Sequence, residues 1–170
     1  DHLSSGKEGM TEVDTDVVAF VHTFRKGNAD TLIDIGTGSG CIAITLALET
    51  DKNIHASDIC RKALSVAKKN AALHKVQNCI HFREGSILEP FHDLEAPFFL
   101  VSNAPYVPQE ETPMIDVVGY EPHKAFYAGP RGMSVLRPLV EEAKQHPYCL
   151  GFALECRTFQ AEKLSDVLQI

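Results

Sequence analysis

Residues 31–40 read Thr-Leu-Ile-Asp-Ile-Gly-Thr-Gly-Ser-Gly, a short apolar run that ends in three alternating glycines. The nine residues behind them, Cys41 to Glu49, are apolar almost all round. A buried strand that turns sharply into a helix packed on a sheet satisfies both patterns. The rest of the chain repeats the theme. Asn53 to Ser57 reads as a second strand, and Asp58 opens an alanine-rich helix to about His74. Cys79 to Phe82 is a third strand, with Ile80 and Phe82 alternating, and Phe98 to Val101 a fourth, apolar on both faces. A loop-rich stretch follows to about Arg131. Then come a helix near 134–146 with Pro138 close to its first turn, a fifth strand from Tyr148 to Glu155, and a last helix from about Thr158. Ahead of the glycines, Asp14 or Thr15 is expected to cap a helix whose apolar positions are Val17, Phe20, Val21 and Phe24. Strands separated by helical segments imply an α/β domain, doubly wound, with a mostly parallel sheet and helices on both faces.

Composition narrows the function classes. The 170 residues carry 16 Lys+Arg against 23 Asp+Glu, a formal net charge of −7, which weakens any reading that needs tight binding to a phosphate backbone. No apolar run approaches the roughly 20 residues of a membrane span, so no membrane association is expected. The five cysteines are an odd number without a Cys-x-x-Cys pair. Neither a disulfide framework nor a zinc site is suggested, and reduced thiols in a cytoplasmic compartment are the expectation. All nine prolines lie at or beyond Pro90, so the second half must carry the loops. Between Arg83 and Lys124 there is no Lys or Arg, but eight carboxylates: Glu84, Glu89, Asp93, Glu95, Glu110, Glu111, Asp116 and Glu121. Residues 1–13 read as a polar tail, and 14–170 as one domain.

In a doubly wound sheet, ligands bind beyond the C-terminal ends of the strands. Four segments meet that description: Asp34–Gly40, Ser57–Ile59, Glu84–Ile87 and Ser102–Tyr106. Glycines let the backbone turn and approach a ligand closely, and the helix behind offers free N–H groups. The dinucleotide pattern would need glycine at position 41, where Cys41 stands. Asp34, just before Gly36, Thr37, Gly38, Ser39 and Gly40, suits an amine-bearing ligand better than a pyrophosphate. Asp58 is placed to accept both hydroxyls of a ribose, although it could equally cap the next helix. The combination favours S-adenosylmethionine over a nicotinamide cofactor or a purely structural turn. Ser102-Asn-Ala-Pro-Tyr106 is an odd sequence for mere packing at a strand end, though Asn and Pro are also common in ordinary turns.

With those residues in view, the chain resembles the amino-methyltransferases that carry an Asn-Pro-Pro-Tyr motif, a Rossmann-like fold. More closely it resembles the HemK/PrmC group of protein glutamine N5-methyltransferases, which modify the Gly-Gly-Gln loop of peptide-chain release factors. The resemblance runs over about residues 13–168. It rests on Val13–Asp16, Asp34–Cys41, Asp58, Glu84–Ile87, Asn103–Tyr106 and Tyr120–Gly129 leading into Gly132–Leu136. It implies that Asp34, Gly36 to Gly40, Asp58, Ile59, Ser86, Ile87 and Asn103 hold S-adenosylmethionine, with S-adenosylhomocysteine as product. It also implies that Asn103, Ala104, Pro105 and Tyr106 hold the glutamine, and that no metal takes part. The acceptor would be a release factor or a ribosomal protein, the enzyme a monomer, and nucleic acid no direct partner. Two positions depart from the family. Ala104 replaces its first proline, which loosens the loop, and Ser86 replaces its usual aspartate, which removes a charge from the adenine side.

A carboxamide nitrogen is a poor nucleophile that needs orientation rather than a base, since it attacks without prior deprotonation. The Asn103 side-chain oxygen and the Ala104 carbonyl are expected to accept the two amide hydrogens, and Tyr106 to stack on the amide plane. An adenine or guanine amino-methylase of DNA or RNA would use the same tetrapeptide. It should, however, surround the cleft with basic residues, and the segment from Glu84 to His123 has none. A cofactor-binding domain of little activity is the third reading. Such sheets usually have seven strands. Five are expected here, without the closing antiparallel hairpin or the family's helical N-terminal domain, as in a domain fragment or reduced homologue.

Overall fold

The computed structural model describes residues 16–109 and 128–169. Six strands form one sheet: β1 (Val17–Thr23), β2 (Thr31–Ile35), β3 (Asn53–Asp58), β4 (Ile80–Glu84), β5 (Phe98–Ser102) and β6 (Cys149–Arg157). Four α-helices accompany them: α1 (Cys41–Glu49), α2 (Arg61–Leu73), α3 (Met133–Gln145) and α4 (Thr158–Leu168). The strand order is β1-β6-β5-β2-β3-β4, with β1 antiparallel and all other neighbours parallel. Chain order runs outward from β2 to β4 on one side and from β5 to β6 on the other. The switch point therefore lies between the C-terminal ends of β2 and β5, where a crevice is expected.

Period-two alternation in β2 feeds two apolar clusters. Ile33 and Ile35 enter the larger one with Leu100, Phe152, and Leu136, Leu139 and Val140 of α3. Leu32 packs against the smaller one, built from Ala43 and Ile44 of α1, Ile54, Ala56 and Ala71. Pro138 lies inside α3, at its sixth residue rather than close to its first turn, and the helix continues through it.

The N-terminal segment corrects the expected helix. Val17 to Thr23 is an edge strand paired residue for residue with β6, from Val17 opposite Arg157 to Thr23 opposite Gly151. Its burial alternates: Val18, Phe20 and His22 are half-buried, while Val17, Ala19, Val21 and Thr23 are exposed. Phe20 and Phe24 pack on Phe152, with ring centroids 5.5 and 5.6 Å apart. Gly151 makes room for this flank, because a Cβ there would overlap the His22 carbonyl oxygen. Among the described residues the sheet thus has six strands where five are expected, with antiparallel β1 beside β6. Val13 to Thr15 lie outside the described residues, as does most of the Tyr120–Gly129 segment.

Candidate active site at the switch point

β2 ends inside the sheet, and its last residues organise the glycine loop. Asp34 is fully buried, and its Oδ2 accepts from the Thr37 hydroxyl at 2.6 Å and from the Ala43 N–H at 3.0 Å. Its Oδ1 is buried without a hydrogen-bond partner. Burial pushes this carboxyl up to about 6, against the lowering effect of those two donors. Asp34 therefore sits beneath the loop and shapes it, rather than facing the crevice. Gly36, Gly38 and Gly40 all have φ in the left-handed region, at 71°, 56° and 86°. At Gly40 a Cβ would also crowd Ala67 of α2 at 3.1 Å. The Thr37 N–H donates to the Ser57 carbonyl at 2.9 Å, and Asn70 Nδ2 donates to the Ser39 carbonyl at 2.9 Å. Loop, β3 and α2 are one assembly.

Asp58 closes β3 from above. Its Oδ2 accepts from the Gly38 N–H at 2.9 Å and its Oδ1 from the Cys60 N–H at 2.8 Å. The N-cap of α2 is Cys60, so Asp58 forms a local turn and a bridge to the glycine loop instead of capping the helix. Its carboxylate remains half-exposed, and Ile59 beside it is 73% exposed. After β4, the Gly85 N–H donates to the Asp58 carbonyl at 3.2 Å, which brings Ser86 and Ile87 alongside. Ser86 is exposed, and Ile87 holds a positive φ of 51° while packing against the larger core cluster.

The Asn103–Tyr106 motif stands on the other side of the switch point. Ile35 pairs with Ser102, whose hydroxyl donates to the Ile35 carbonyl at 2.7 Å and staples the two strand ends. A Cβ on Gly36 would lie 3.9 Å from the Ala104 Cα, so the glycine loop and the motif are neighbours. Asn103 is exposed, Ala104 is 2% exposed and belongs to the larger core cluster, and Pro105 and Tyr106 are half-buried. All the segments expected at this edge are brought together there. The chemistry of the donor set suits a nucleoside with a charged tail. It offers a glycine cradle backed by a helix N-terminus, a half-exposed carboxylate at Asp58, and an exposed amide at Asn103.

Two residues that sequence reading did not single out stand in this site. The Tyr106 hydroxyl donates to Glu155 Oε1 at 2.8 Å, and Gln160 Nε2 donates to the Tyr106 carbonyl at 2.7 Å. Burial and the neighbouring Glu155 carboxylate push the Tyr106 phenol up to about 12. The readable signal was a glutamine on the buried face of an amphipathic helix, where leucine would be ordinary. The acidic stretch is less uniform in space than in sequence. Glu84 pairs with Arg61 at 2.5 Å and Asp93 with Arg83 at 2.8 Å, while Glu110, Glu111, Asp116 and Glu121 lie outside the described residues. The turn at Pro130–Gly132 brings the Arg131 main chain beside Tyr106, through Gln160. Cys149 and Cys156 are buried thiols pushed up to about 11, which suits packing and not nucleophilic chemistry.

Comparison with known proteins agrees with this geometry. The family described as methyltransferase small domain matches residues 6–117. A release factor glutamine methyltransferase from Synechocystis is 34% identical over 166 residues, which is 94% of this chain and 56% of that protein. One from Deinococcus radiodurans is 39% identical over 122 residues, 70% of this chain and 42% of that protein. The chain spans about half the length of the curated relatives it matches. Among solved structures, a ribosomal protein L11 methylase from Lactobacillus delbrueckii subsp. bulgaricus superposes with a TM-score of 0.55 at 22% identity. It covers 82% of this chain and 58% of its own, a likeness of fold alone.

Proposed function

We propose, from the premise that this chain belongs to the methyltransferase small domain family, that it methylates the side-chain amide of a protein glutamine. The donor is S-adenosylmethionine, and the acceptor that the relatives' names favour is a glutamine of a release factor; we place it in the Gly-Gly-Gln loop, and the reaction in the cytoplasm, on the family resemblance. The observation that carries the reading is the adjacency of the Gly36–Gly40 loop and the Asn103–Tyr106 motif across one switch point, stapled by the Ser102 hydroxyl.

Bound there, the cofactor supplies a methyl group already activated by a sulfonium. The glycine loop, Asp58, Ile59, Ser86, Ile87 and Asn103 are the residues that would hold it, with Asp34 shaping the loop from below. The Asn103 side-chain oxygen and the Ala104 carbonyl accept the two hydrogens of the acceptor amide and orient its nitrogen. As positive charge develops on that nitrogen, these acceptors interact with it more strongly, which is the differential binding that speeds transfer. Tyr106 lies along the amide plane and keeps water away. No base would be needed before attack: as the N–CH3 bond forms the S–CH3 bond breaks, the sulfur leaves as the neutral thioether of S-adenosylhomocysteine, and the cationic nitrogen then gives its proton to solvent.

The test is tritiated S-adenosylmethionine incubated separately with release factor and with ribosomal RNA. Label is expected in the release factor; label in the RNA alone refutes the reading. Asn103→Ala should lower transfer by about a hundredfold or more while calorimetry shows the cofactor still bound, since it removes an acceptor used most in the transition state. Unchanged turnover in that variant would remove the role given to Asn103.

A further inference from the structure

We infer that Glu155 and Gln160 form a two-point clamp on Tyr106 and act as positioning residues for the acceptor amide; this rests on the glutamine-methyltransferase reading above. They follow Tyr106 in sequence by 49 and 54 residues and reach it from β6 and α4. Glu155 takes the far end of the side chain, with Oε1 accepting from the phenol at 2.8 Å. Gln160 takes the near end, with Nε2 donating to the Tyr106 main-chain carbonyl at 2.7 Å. One bond fixes the ring and the other fixes the peptide from which the ring projects.

Gln160 is fully buried, and both hydrogens of its amide are used in a way that helix capping does not require. Its Oε1 accepts from the Arg157 N–H at 2.9 Å, which is its share of the capping box at the start of α4. The two Nε2 hydrogens go elsewhere, one to Tyr106 and one to the Arg131 carbonyl at 2.9 Å. Buried polar groups are tolerated only when bonded, so a side chain placed here with both donors spent on main-chain carbonyls fixes those carbonyls. The second carbonyl belongs to the turn ending at Gly132, where a Cβ would overlap the Tyr106 carbonyl oxygen and approach Gln160 Nε2 to 2.5 Å. Turn, amide and tyrosine are therefore packed as one unit, and residue 132 has to be glycine for them to meet.

Glu155 sits one residue past Leu154, which is paired with the last residue of β5. It is thus at the same sheet edge as Asn103 to Tyr106. A tyrosine held at both ends has lost its rotational freedom before the acceptor arrives, so orienting the amide costs less at the moment of reaction. With its hydroxyl proton engaged by a carboxylate, the ring also keeps its π density, which favours a cationic neighbour.

Two measurements on the full chain test the clamp. The first needs no activity: carbon-13 NMR of ring-labelled tyrosine in the ligand-free protein, with the Tyr106 signal assigned by its loss in Tyr106→Phe. Burial first, and the Glu155 carboxylate second, push the Tyr106 phenol up to about 12, so Glu155→Ala should lower its titration by the carboxylate's share and leave the share due to burial. The second is kinetic. Tyr106→Phe and Glu155→Ala should each lower kcat by about tenfold, with acceptor KM and cofactor affinity moved by less than about twofold. The double variant should be no slower than either single one, and Glu155→Gln, which keeps an acceptor oxygen, should recover part of the loss. An unchanged Tyr106 titration in Glu155→Ala, or kinetic losses that simply multiply, would overturn the clamp. A native chain that methylates no glutamine protein would instead overturn the functional reading, while the NMR arm still decides whether the clamp exists.

Discussion

Asp34 shows how far a single residue's role depends on which face of the strand it occupies. One carboxylate oxygen organises the turn into α1, and the other is buried without a partner. Burying that charge has a cost with a definite pH signature. In the unfolded chain the group titrates near 3.8, and in the folded chain at about 6. Well below pH 3.8 it is protonated in both states and no charge is buried; well above 6 the folded state carries the whole cost. Stability through this group therefore falls as pH rises from 4 to 7, by roughly 3 kcal/mol at most. Urea unfolding of the native chain and Asp34→Asn at several pH values should show a difference that shifts across this window in favour of the variant. A difference flat from pH 4 to 7 would mean that Asp34 is not buried as a charge. A carboxylate before a glycine loop is equally compatible with facing a ligand and with supporting the loop, and only the register of Ile33 and Ile35 into the core decides.

At the scale of elements, most of the architecture was legible. The apolar runs of β2 to β6 and the amphipathic or fully apolar helices between them follow from periodicity and punctuation, and the parallel order follows from their alternation. Val17 to Phe24 was not legible in the same way. Residues 17, 20, 21 and 24 fit a helical face, and residues 18, 20, 22 and 24 fit a strand face. The β-branched content favoured the strand, and pairing with β6 decided it. The turn before α3 is the element on which the Asn103–Tyr106 loop most depends. Gly132 has φ +68° and faces the Tyr106 carbonyl. Gly132→Ala should cost about 2 kcal/mol or more, from the left-handed backbone and the overlap together. Differential scanning calorimetry should show a clear drop in Tm, and the ring signal of Tyr106 should move with it. A variant with native Tm and an unmoved Tyr106 signal would show that the turn yields without disturbing the motif.

For the whole molecule, the question is how the β6 flank is covered, because a sheet that presents an apolar side to water does not stay monomeric. β1 covers that flank by laying Val18, Phe20 and Phe24 against the larger core cluster, with Phe20 and Phe24 on Phe152. In exchange it becomes the edge itself and exposes Val17 at 54% and Val21 at 59% on its outer side. A helix over the same residues would instead turn Val17, Phe20, Val21 and Phe24 inward together, so the two architectures assign opposite surroundings to Val17 and Val21. Serine at both positions separates them. With β1 in place, Val17→Ser with Val21→Ser removes only exposed methyl groups and should change unfolding free energy by less than about 0.5 kcal/mol. Phe20→Ser, one residue away from Val21, removes a ring from Phe152 and should cost about 2 kcal/mol. If the serine pair were the damaging change and Phe20→Ser no worse, β1 would not be the strand beside β6. The serine pair should also lower any tendency of the chain to self-associate at high concentration, since it replaces the apolar residues on an open edge. Analytical ultracentrifugation of the two proteins reads that directly.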